Sequence, residues 1–268
     1  MMNAVDAASG WGWVKQGFTL FGKQPAEMLT LFFAYMFLSL VIGFIPFAGR
    51  FLPLMLVPVF AMSFMQACSQ IEDDKRVYPD LLLTGFRSEG LLRLLSLGVL
   101  YVLAAMLAIG LSSLADDGIF LNFIFAMTPE DPETLPKGKL FLGMLVAGLV
   151  YLPAMMAFWF AAPLITWGRM SVGKAVFYSF FAVQRTGLAF TVYGLAWLLI
   201  GVFGPTLLGM ITAAVVGQVA IGLLVMIPVS LVLTVVMYCS FYPTYTTIFG
   251  RPDKPQSETP QNPEMPPG

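Results

Sequence analysis

The sequence predicts an all-α, polytopic membrane protein with six transmembrane helices, arranged as three parallel pseudo-repeats of an in-plane amphipathic helix plus a transmembrane hairpin. Of its 268 residues, 58% are hydrophobic and only 11% are charged, whereas about 25% of a soluble domain is typically charged. Six apolar stretches are each long enough to cross the ~30 Å hydrocarbon layer of a bilayer. The chain contains 24 Phe and 17 Met but no His. This composition argues against a soluble enzyme, a disordered protein and a nucleic-acid-binding protein.

The N-terminal region precedes the first span and is expected to stay on the mature chain. The first long apolar stretch starts near Met28, beyond the window of about 15–30 residues that a cleaved signal peptide occupies. Residues 1–27 are therefore predicted to be a cytoplasmic segment with an amphipathic helix. Apolar side chains recur in it every three to four residues, as on one face of a helix; they are Trp11, Val14, Phe18 and Phe21.

Six spans follow and form a predicted transmembrane domain over residues 28–248. The first two are joined by a short turn, which predicts a hairpin. The 65 residues of the range 186–250 include no charged residue, and this length suits two crossings. The break between these crossings is expected between Gly204-Pro205 and Gly217, because proline and glycine loosen a helix. The predicted spans are 28–45, 51–68, 91–114, 140–167, 187–211 and 218–241.

Three segments of the chain share one pattern, which predicts a threefold internal repeat. Each even-numbered span carries a proline about ten residues before its exit, at Pro58, Pro153 and Pro228, and we expect no proline inside the odd-numbered spans. Each odd-numbered span follows a short amphipathic stretch, and the second and third stretches cover residues 79–87 and 171–181. Such helices typically lie at the lipid headgroups with their apolar face toward lipid. Because every unit crosses twice, the units are predicted to be parallel, around an axis along the membrane normal.

The three prolines have two interpretations. A proline frees the carbonyl group four residues earlier from its helical hydrogen bond. We expect simple kinks, in which neighbouring helices satisfy these carbonyl groups. The alternative is a site on the repeat axis, lined by the freed carbonyl groups of Leu54, Leu149 and Leu224.

Basic residues predict the orientation, because Lys and Arg concentrate in cytoplasmic segments. With a cytoplasmic N-terminus, 11 of the 14 Lys and Arg residues lie inside and only Arg50, Lys137 and Lys139 lie outside. Both termini are therefore predicted to be cytoplasmic. The outer loop, residues 115–139, is acidic. The tail, residues 249–268, has six prolines among its last 18 residues and is expected to be disordered in the cytoplasm.

The sequence contains no recognisable motif for catalysis, a cofactor or a metal. The middle third of every predicted span lacks Asp, Glu, Lys, Arg and His, whereas a proton-coupled carrier usually needs such a group within the membrane. We therefore predict no catalytic, cofactor-binding or metal-binding residue, no cofactor and no enzymatic activity. Cys68 and Cys239, 171 positions apart, match no metal or disulfide pattern and are expected to be apolar filler within helices.

Polar residues offer few further candidates. Gln66 and Gln218 are the least comfortable in lipid and are expected to face protein, with ligand contact as the alternative. Segment 72–76 is expected to be a solvated turn, with binding of a cation or a partner protein as the alternative. Calcium binding by residues 116–117 and 130–131 is a further alternative, although EF-hand spacing is lacking. The uncharged polar residues of the spans, expected to bond between helices, are Ser39, Ser63, Gln66, Thr191, Thr206, Gln218, Ser230 and Thr234.

Several apolar motifs resemble those of an uncharacterised family of six-helix inner-membrane proteins from β-proteobacteria. The resemblance covers residues 11–250 and implies a location in the bacterial inner membrane and a six-helix fold, but no catalytic residue. More distantly, the helix-plus-hairpin pattern is similar to the membrane domain of some glycerophosphodiester phosphodiesterases. The motifs are Trp11-Gly12-Trp13, Gly17-Phe18, Phe21, Phe64-Met65-Gln66-Ala67, Ala162-Pro163-Leu164-Ile165-Thr166-Trp167, Ala175, Ser179-Phe180 and Tyr193-Gly194-Leu195.

Two functions fit these features. The first is a non-enzymatic scaffold or assembly protein, which would bind protein partners at the cytoplasmic face. The second is passive transport or lipid binding at a site on the pseudo-threefold axis. The lipid bilayer is the expected partner in both, nucleic acid is not expected, and the oligomeric state stays open. Methionines that could line the site are Met62, Met65, Met155, Met156, Met226 and Met237.

Overall fold

The structure is a computed structural model that describes residues 5–46, 49, 51–125 and 136–252. Every regular element in these residues is helical, which confirms the all-α prediction. The predictions for Arg50, for residues 130–131 and for most of the tail concern residues outside the described ranges. The α-helices are α1 (Ala8–Lys23), α2 (Pro25–Gly43), α3 (Leu52–Glu72), α4 (Leu91–Asp116), α5 (Ile119–Phe125), α6 (Lys137–Phe158), α7 (Ala161–Thr166), α8 (Val172–Arg185), α9 (Gly187–Trp197), α10 (Gly204–Val216) and α11 (Val219–Phe249).

Six segments are long and apolar enough to cross a membrane, as predicted. Their ends agree with the predicted ends within five residues, except that the sixth span continues past Pro243 to Phe249. Spans of this composition imply a lipid bilayer as their environment. The six segments are Pro25–Gly43, Leu52–Glu72, Leu91–Asp116, Lys137–Thr166, Gly187–Val216 and Val219–Phe249.

Successive spans form three hairpins. Hairpin A consists of α2 and α3, hairpin B of α4 with α6 and α7, and hairpin C of α9 and α10 with α11. Both described ends of the chain lie at one end of the bundle, where the indole N–H of Trp13 donates to the hydroxyl of Thr247 at 3.0 Å. We call this end the terminal face, and the end where the hairpins turn the tip face.

Hairpin C corrects one prediction, because the fifth span carries Pro205 in its interior. The helix does not break there but widens into a π-helical stretch, Leu198–Phe203. A wider turn accommodates the ring and the missing N–H of a proline. The chain reverses instead at Gly217, whose φ of 74° a glycine adopts without strain.

Three elements on the terminal face follow a cyclic order. Helix α1 packs on hairpin C, the 3-10 helix Pro79–Leu83 packs on hairpin A, and α8 packs on hairpin B. Each element thus lies against the hairpin before its own, with α1 closing the ring. The second element is a 3-10 helix of five residues rather than an α-helix, and the tightly packed Gly85 follows it. The threefold repeat itself stays a prediction.

Helix α1 buries a face that overlaps the predicted apolar face only in part, at Val14, which is 0% exposed. Gly10, Trp13 and Gly17 are buried, whereas Trp11 and Phe18 remain 44% and 41% exposed. A Cβ atom on Gly17 would lie 2.6 Å from the Cβ of Ser240 in α11, so only glycine permits this approach. The buried face of α1 therefore contacts protein and not lipid.

Tight packing is concentrated toward the terminal face. Helix α3 lies at the centre, since 56% of its most apolar window is buried, against 11–22% in the other spans. Toward the tip face the hairpins separate, and Leu114, Val215 and Leu224 are 83%, 80% and 71% exposed. In a bilayer these side chains contact lipid. The interior that all three hairpins share is thus concentrated in one half of the membrane thickness.

Candidate functional site

A cavity of about 210 Å³ lies where the hairpins begin to separate. All three even-numbered spans contribute to its wall, together with Tyr35 of α2 and Tyr101 of α4. The wall residues are Tyr35, Val57, Phe60, Ala61, Phe64, Met65, Tyr101, Tyr151, Met155, Phe158, Trp159, Phe160, Ala162, Pro163, Tyr238 and Phe241.

The cavity is deep in the bundle. Tyr35 and Tyr101 each follow the terminal-face end of their helix by ten residues, and Tyr238 lies eleven residues before the end of α11. At 1.5 Å per residue, these positions are about 15 Å from the helix ends. The cavity therefore lies near the middle of a hydrocarbon layer about 30 Å thick.

Tyrosines supply the polar groups of this cavity. The ring of Tyr101 stacks on Phe158 at a centroid distance of 4.4 Å, and its hydroxyl donates to the carbonyl oxygen of Phe158 at 3.3 Å. On the opposite side Tyr238 stacks on Phe64 at 4.6 Å. Tyr35 meets Phe60 edge-on at 5.0 Å. The rings fix one another, so the wall is stiff and aromatic.

A kink in the fourth span shapes one side of the cavity. Helix α6 ends at Phe158, and α7 starts at Ala161. At this break the hydroxyl of Ser179 in α8 accepts a hydrogen bond from the N–H of Phe160 and donates one to the carbonyl of Met156, both at 2.9 Å. A side chain thus replaces a direct hydrogen bond of the helix, a known cause of kinks. Ser179 thereby anchors α8 to hairpin B.

A larger groove adjoins the cavity between hairpins B and C. Its volume is about 620 Å³, and Met155, Trp159 and Phe241 belong to both walls. Trp159 stands between the two spaces, edge-on to Phe190 at 5.2 Å and to Phe241 at 5.1 Å. The other groove residues are Leu152, Met156, Val183, Gln184, Gly187, Phe190, Thr191, Tyr193, Gly194, Trp197 and Met237.

The two glutamines behave differently. Gln66 is half-buried and accepts a hydrogen bond from the indole of Trp167 at 3.4 Å, so the expectation that it faces protein is confirmed. Gln218 is exposed in the turn after Gly217, and the same expectation is wrong for it. A turn at the tip face leaves the amide at the membrane surface, where it stays hydrated and avoids the free-energy cost of burial in lipid.

Most of the hydroxyl groups in the spans do not link helices. Ser63 does, donating to the carbonyl of Leu82 at 2.8 Å. Ser and Thr in a helix can instead reach the carbonyl four residues back, which satisfies them within one helix. This local bond is formed by Thr191, Thr206, Ser230 and Thr234.

The predicted proline and methionine positions are only partly at the site. The cavity wall contains Pro163 but not the three prolines of the repeat; Pro153 and Pro228 are exposed. A site lined by their freed carbonyl groups is therefore not supported. Of the predicted methionines, Met65 lines the cavity, Met156 and Met237 line the groove, and Met155 lines both. Met62 lies in the core, and Met226 lies between α10 and α11.

Segment 72–76 is more than a solvated turn. The carboxylate of Glu72 accepts hydrogen bonds from the hydroxyl of Tyr242 at 2.6 Å and from the guanidinium of Arg251 at 2.9 Å. Asp74 is exposed and pairs with Lys23 at 2.9 Å. The segment therefore ties α1, α3 and the end of α11 together on the terminal face.

The acidic residues at the end of α4 have structural partners. The buried carboxylate of Asp116 accepts the N–H groups of Gly118 and Phe120 at 3.0 and 2.7 Å, which caps α5. Asp117 pairs with Lys139 at 2.7 Å, and this contact lowers the pKa of the Asp117 carboxyl. The arrangement is that of a helix cap and a surface ion pair.

The two cysteines meet despite their separation in sequence. Both are free and buried, and the thiol of Cys68 lies 3.9 Å from the carbonyl oxygen of Cys239. They occupy the interface of α3 and α11, consistent with their predicted role as apolar filler.

Sequence reasoning missed the cavity tyrosines and Ser179. Tyrosine is usually enriched at the membrane surface, so tyrosines ten residues into a span were a usable signal. Tyr35, Tyr101 and Tyr238 lie ten or eleven residues from an end of their span, and Tyr151 lies fourteen residues into its span. The insertion of Ser179 into another helix left no such signal, because it depends on how α8 docks.

The chain is 39% identical over 254 residues to a probable inner membrane protein of Burkholderia thailandensis, covering 92% of this chain and 93% of that one. No protein-family model matches the chain, and no solved structure matches it. The distant similarity to glycerophosphodiester phosphodiesterase membrane domains finds no support in these comparisons, and the name of the relative states no enzymatic activity. With this identity over nearly the full length of both chains, and with six membrane-spanning helices, the chain belongs to the family of this multi-pass inner membrane protein.

Proposed function

We propose that this protein binds a membrane lipid in the cavity and groove between its hairpins, without catalysing a reaction. The carrying observation is that the cavity adjoins a groove of about 620 Å³, with Met155, Trp159 and Phe241 in both walls. This volume is typical of ligand sites, which measure about 300–1,000 Å³. The groove rim includes the exposed residues Leu152 and Gly194, so a lipid tail has lateral access from the bilayer.

The Asp, Glu, Lys and Arg residues of the described spans support a role without acid–base chemistry. They lie in the first or last turn of their helices, at Glu27, Glu72, Arg93, Asp116, Lys137 and Lys139. The cavity is about three turns away from these positions. A lipid entering it would therefore meet aromatic and aliphatic side chains, which fit binding better than proton transfer.

Native mass spectrometry after mild detergent extraction tests this function. Gly194 lines the groove, and a Cβ atom added there meets no atom within 4 Å, so we expect Gly194→Leu to fold and to obstruct the groove. We expect this variant to lose the lipid that the wild type retains. Gly148→Leu is the matched control, because Gly148 is also exposed with free space around it but lies outside the groove. Equal retention by wild type, Gly194→Leu and Gly148→Leu would refute lipid binding in the groove.

A scaffold is the second candidate function. Helix α8 buries Ala175 and Ser179 against hairpin B but exposes Phe177, Tyr178 and Phe181. This aromatic face could receive a partner or the headgroup layer. A protein partner retained in the same spectra, with no lipid sensitive to Gly194→Leu, would favour the scaffold.

We further propose that the terminal face is cytoplasmic, which follows from the distribution of Lys and Arg. Single cysteines introduced at Lys15 and Ser257 should react with a membrane-impermeant maleimide only after lysis. A cysteine at Thr134 should react in intact spheroplasts. The opposite pattern would reverse the orientation. Cys68 and Cys239 are buried and should contribute little background.

A further inference from the structure

The lipid headgroup that fits the cavity is uncharged. The wall is built from aromatic, aliphatic, thioether and hydroxyl groups, and among the described residues it includes no Asp, Glu, Lys or Arg. A phosphate placed there would lose its hydration without gaining a counter-charge, which is very unfavourable. A neutral polar group meets no such penalty.

The depth of the cavity also argues against a phospholipid headgroup. Phospholipid phosphates stay at the membrane surface, whereas the cavity tyrosines are about 15 Å inside. A polar group that reaches this depth belongs to a lipid that resides in the bilayer interior. Neutral lipids with a small polar ring and a long hydrocarbon tail have this property.

The chemistry of the wall fits a flat ring that carries hydrogen-bond acceptors. Phe64 and Tyr238 form a stacked pair on one side, and Tyr101 and Phe158 form another. Aromatic pairs favour stacked or edge-on partners, so a further ring is suited to this space. Tyrosine hydroxyls are neutral donors, and the carbonyl oxygens of a quinone are matching acceptors.

The two spaces differ in size and fit different parts of such a lipid, the ring in the cavity and the tail in the groove. The cavity, at about 210 Å³, is below the ~300 Å³ of sites for drug-sized ligands, and therefore suits one substituted ring. The groove, at about 620 Å³, takes an apolar chain between Trp159, Phe190 and Met237.

We propose that the cavity binds the ring of a membrane quinone between Tyr101 and Tyr238, with its isoprenoid tail in the groove. This inference rests on the proposed lipid-binding function and specifies the class of lipid. Tyr101 is the residue we expect to donate to a ring carbonyl, in place of its present bond to the carbonyl of Phe158.

Quenching of tryptophan fluorescence by a short-chain benzoquinone tests the proposal on the purified full-length protein. Trp159 belongs to the cavity wall, so we expect saturable quenching that a Trp159→Phe variant lacks. Tyr101→Phe keeps the ring and loses the hydroxyl, and should weaken binding about fivefold. Ala61→Leu narrows the cavity and should weaken it about tenfold or more. Ala214→Leu, at an exposed position of α10, should bind like the wild type.

The possible results separate this inference from the proposed function. Absence of saturable quenching, or unchanged binding in both Tyr101→Phe and Ala61→Leu, would overturn the quinone proposal. If Ala61→Leu does not fold, Tyr101→Phe alone decides. A retained lipid that Gly194→Leu removes and that is a diacylglycerol or phosphatidylglycerol would leave lipid binding standing and the quinone wrong. Loss of both signals would overturn both.

Discussion

The half of the protein near the terminal face and the half near the tip face are built from the same helices but differ in packing. Near the terminal face, Phe64, Leu97 and Val235 are at most 1% exposed, and aromatic rings contact one another across all three hairpins. Near the tip face, helices contact little beyond their own hairpin partner, and Leu107 and Leu207 are about 60% exposed. Large apolar side chains occur in both halves, so hydrophobicity alone does not decide packing.

The difference shows what holds a membrane bundle together. Apolar side chains gain little by leaving lipid for protein, so association depends on close packing and hydrogen bonds. Near the terminal face both are present, through glycine contacts, Ser179 and the carboxylate of Glu72. Farther out, contacts between hairpins are sparser among the described residues, as between the rings of Phe51 and Phe125 at 6.5 Å. The cavity lies at the boundary between the tightly packed half and the more open half.

The largest expected effect comes from truncating a leucine in the packed half. Leu97 is 0% exposed, whereas Leu107 in the same helix is 60% exposed. Leu97→Ala should lower the free energy of unfolding by about 3 kcal/mol, because it leaves a cavity. Leu107→Ala should change it by less than about 0.5 kcal/mol. Unfolding in mixed micelles measures both, and equal losses would contradict the division into halves.

The next effect tests the docking of α1. A Cβ atom on Gly10 would collide with the main chain of Ala189 and Tyr193, whereas one on Gly12 would meet no atom within 4 Å. Gly10→Ala should therefore destabilise the protein by about 1–3 kcal/mol. Gly12→Ala should be neutral or stabilise by up to about 1 kcal/mol, from helix propensity. Thermal unfolding in detergent compares the two, and a neutral Gly10→Ala would place α1 elsewhere.

A smaller effect concerns the carboxylates of the terminal face. Glu72→Gln weakens two charge-assisted hydrogen bonds and should cost about 1–2 kcal/mol. Asp74→Asn removes an exposed pair with Lys23, which is worth less than about 1 kcal/mol. Thermal unfolding of both variants compares the stability that the hydrogen-bonded carboxylate of Glu72 contributes with the stability that the exposed Asp74–Lys23 pair contributes. A larger loss in Asp74→Asn would reverse this ranking.

The smallest effect belongs to the tip face. Pairing with Lys139 lowers the pKa of Asp117 below its usual 3.8, so any stabilisation is present above that pH and is lost only as pH falls through the lowered value. The melting temperature of wild type and Lys139→Met should therefore respond alike between pH 7 and pH 5. A divergence within that range would show that another group faces Lys139.

Sequence reasoning captured the elements that depend on hydrophobic length and periodicity. Six spans and their hairpins follow from runs of apolar residues, and apart from the far end of the sixth span their ends lie within five residues of the predicted ones. The buried face of α1 followed only in part, because Gly10 and Gly17 contribute to packing through the side chain that they lack. Hydrophobic periodicity selects Val14, which is buried, but also Trp11 and Phe18, which remain partly exposed.

The candidate site was less accessible to prediction. A site on the even-numbered spans was only the alternative interpretation of the prolines, and its polar groups were sought in glutamines and proline-freed carbonyls. Gln218 lies instead in a turn, Gln66 bonds to Trp167, and the prolines of the repeat do not line the cavity. Tyr101 and Tyr238 line the cavity because ring stacking holds them there, and stacking partners come from distant parts of the chain.

The docking of α1 on hairpin C has a consequence for biosynthesis. This helix is synthesised before hairpins A and B, whereas its partners α9 and α11 are synthesised after them. Until α9 and α11 are inserted, the glycine face of α1 lacks the surfaces on which it packs. Chains that end early would therefore expose an unmatched N-terminal helix together with incomplete hairpins, a combination that membrane quality control can recognise.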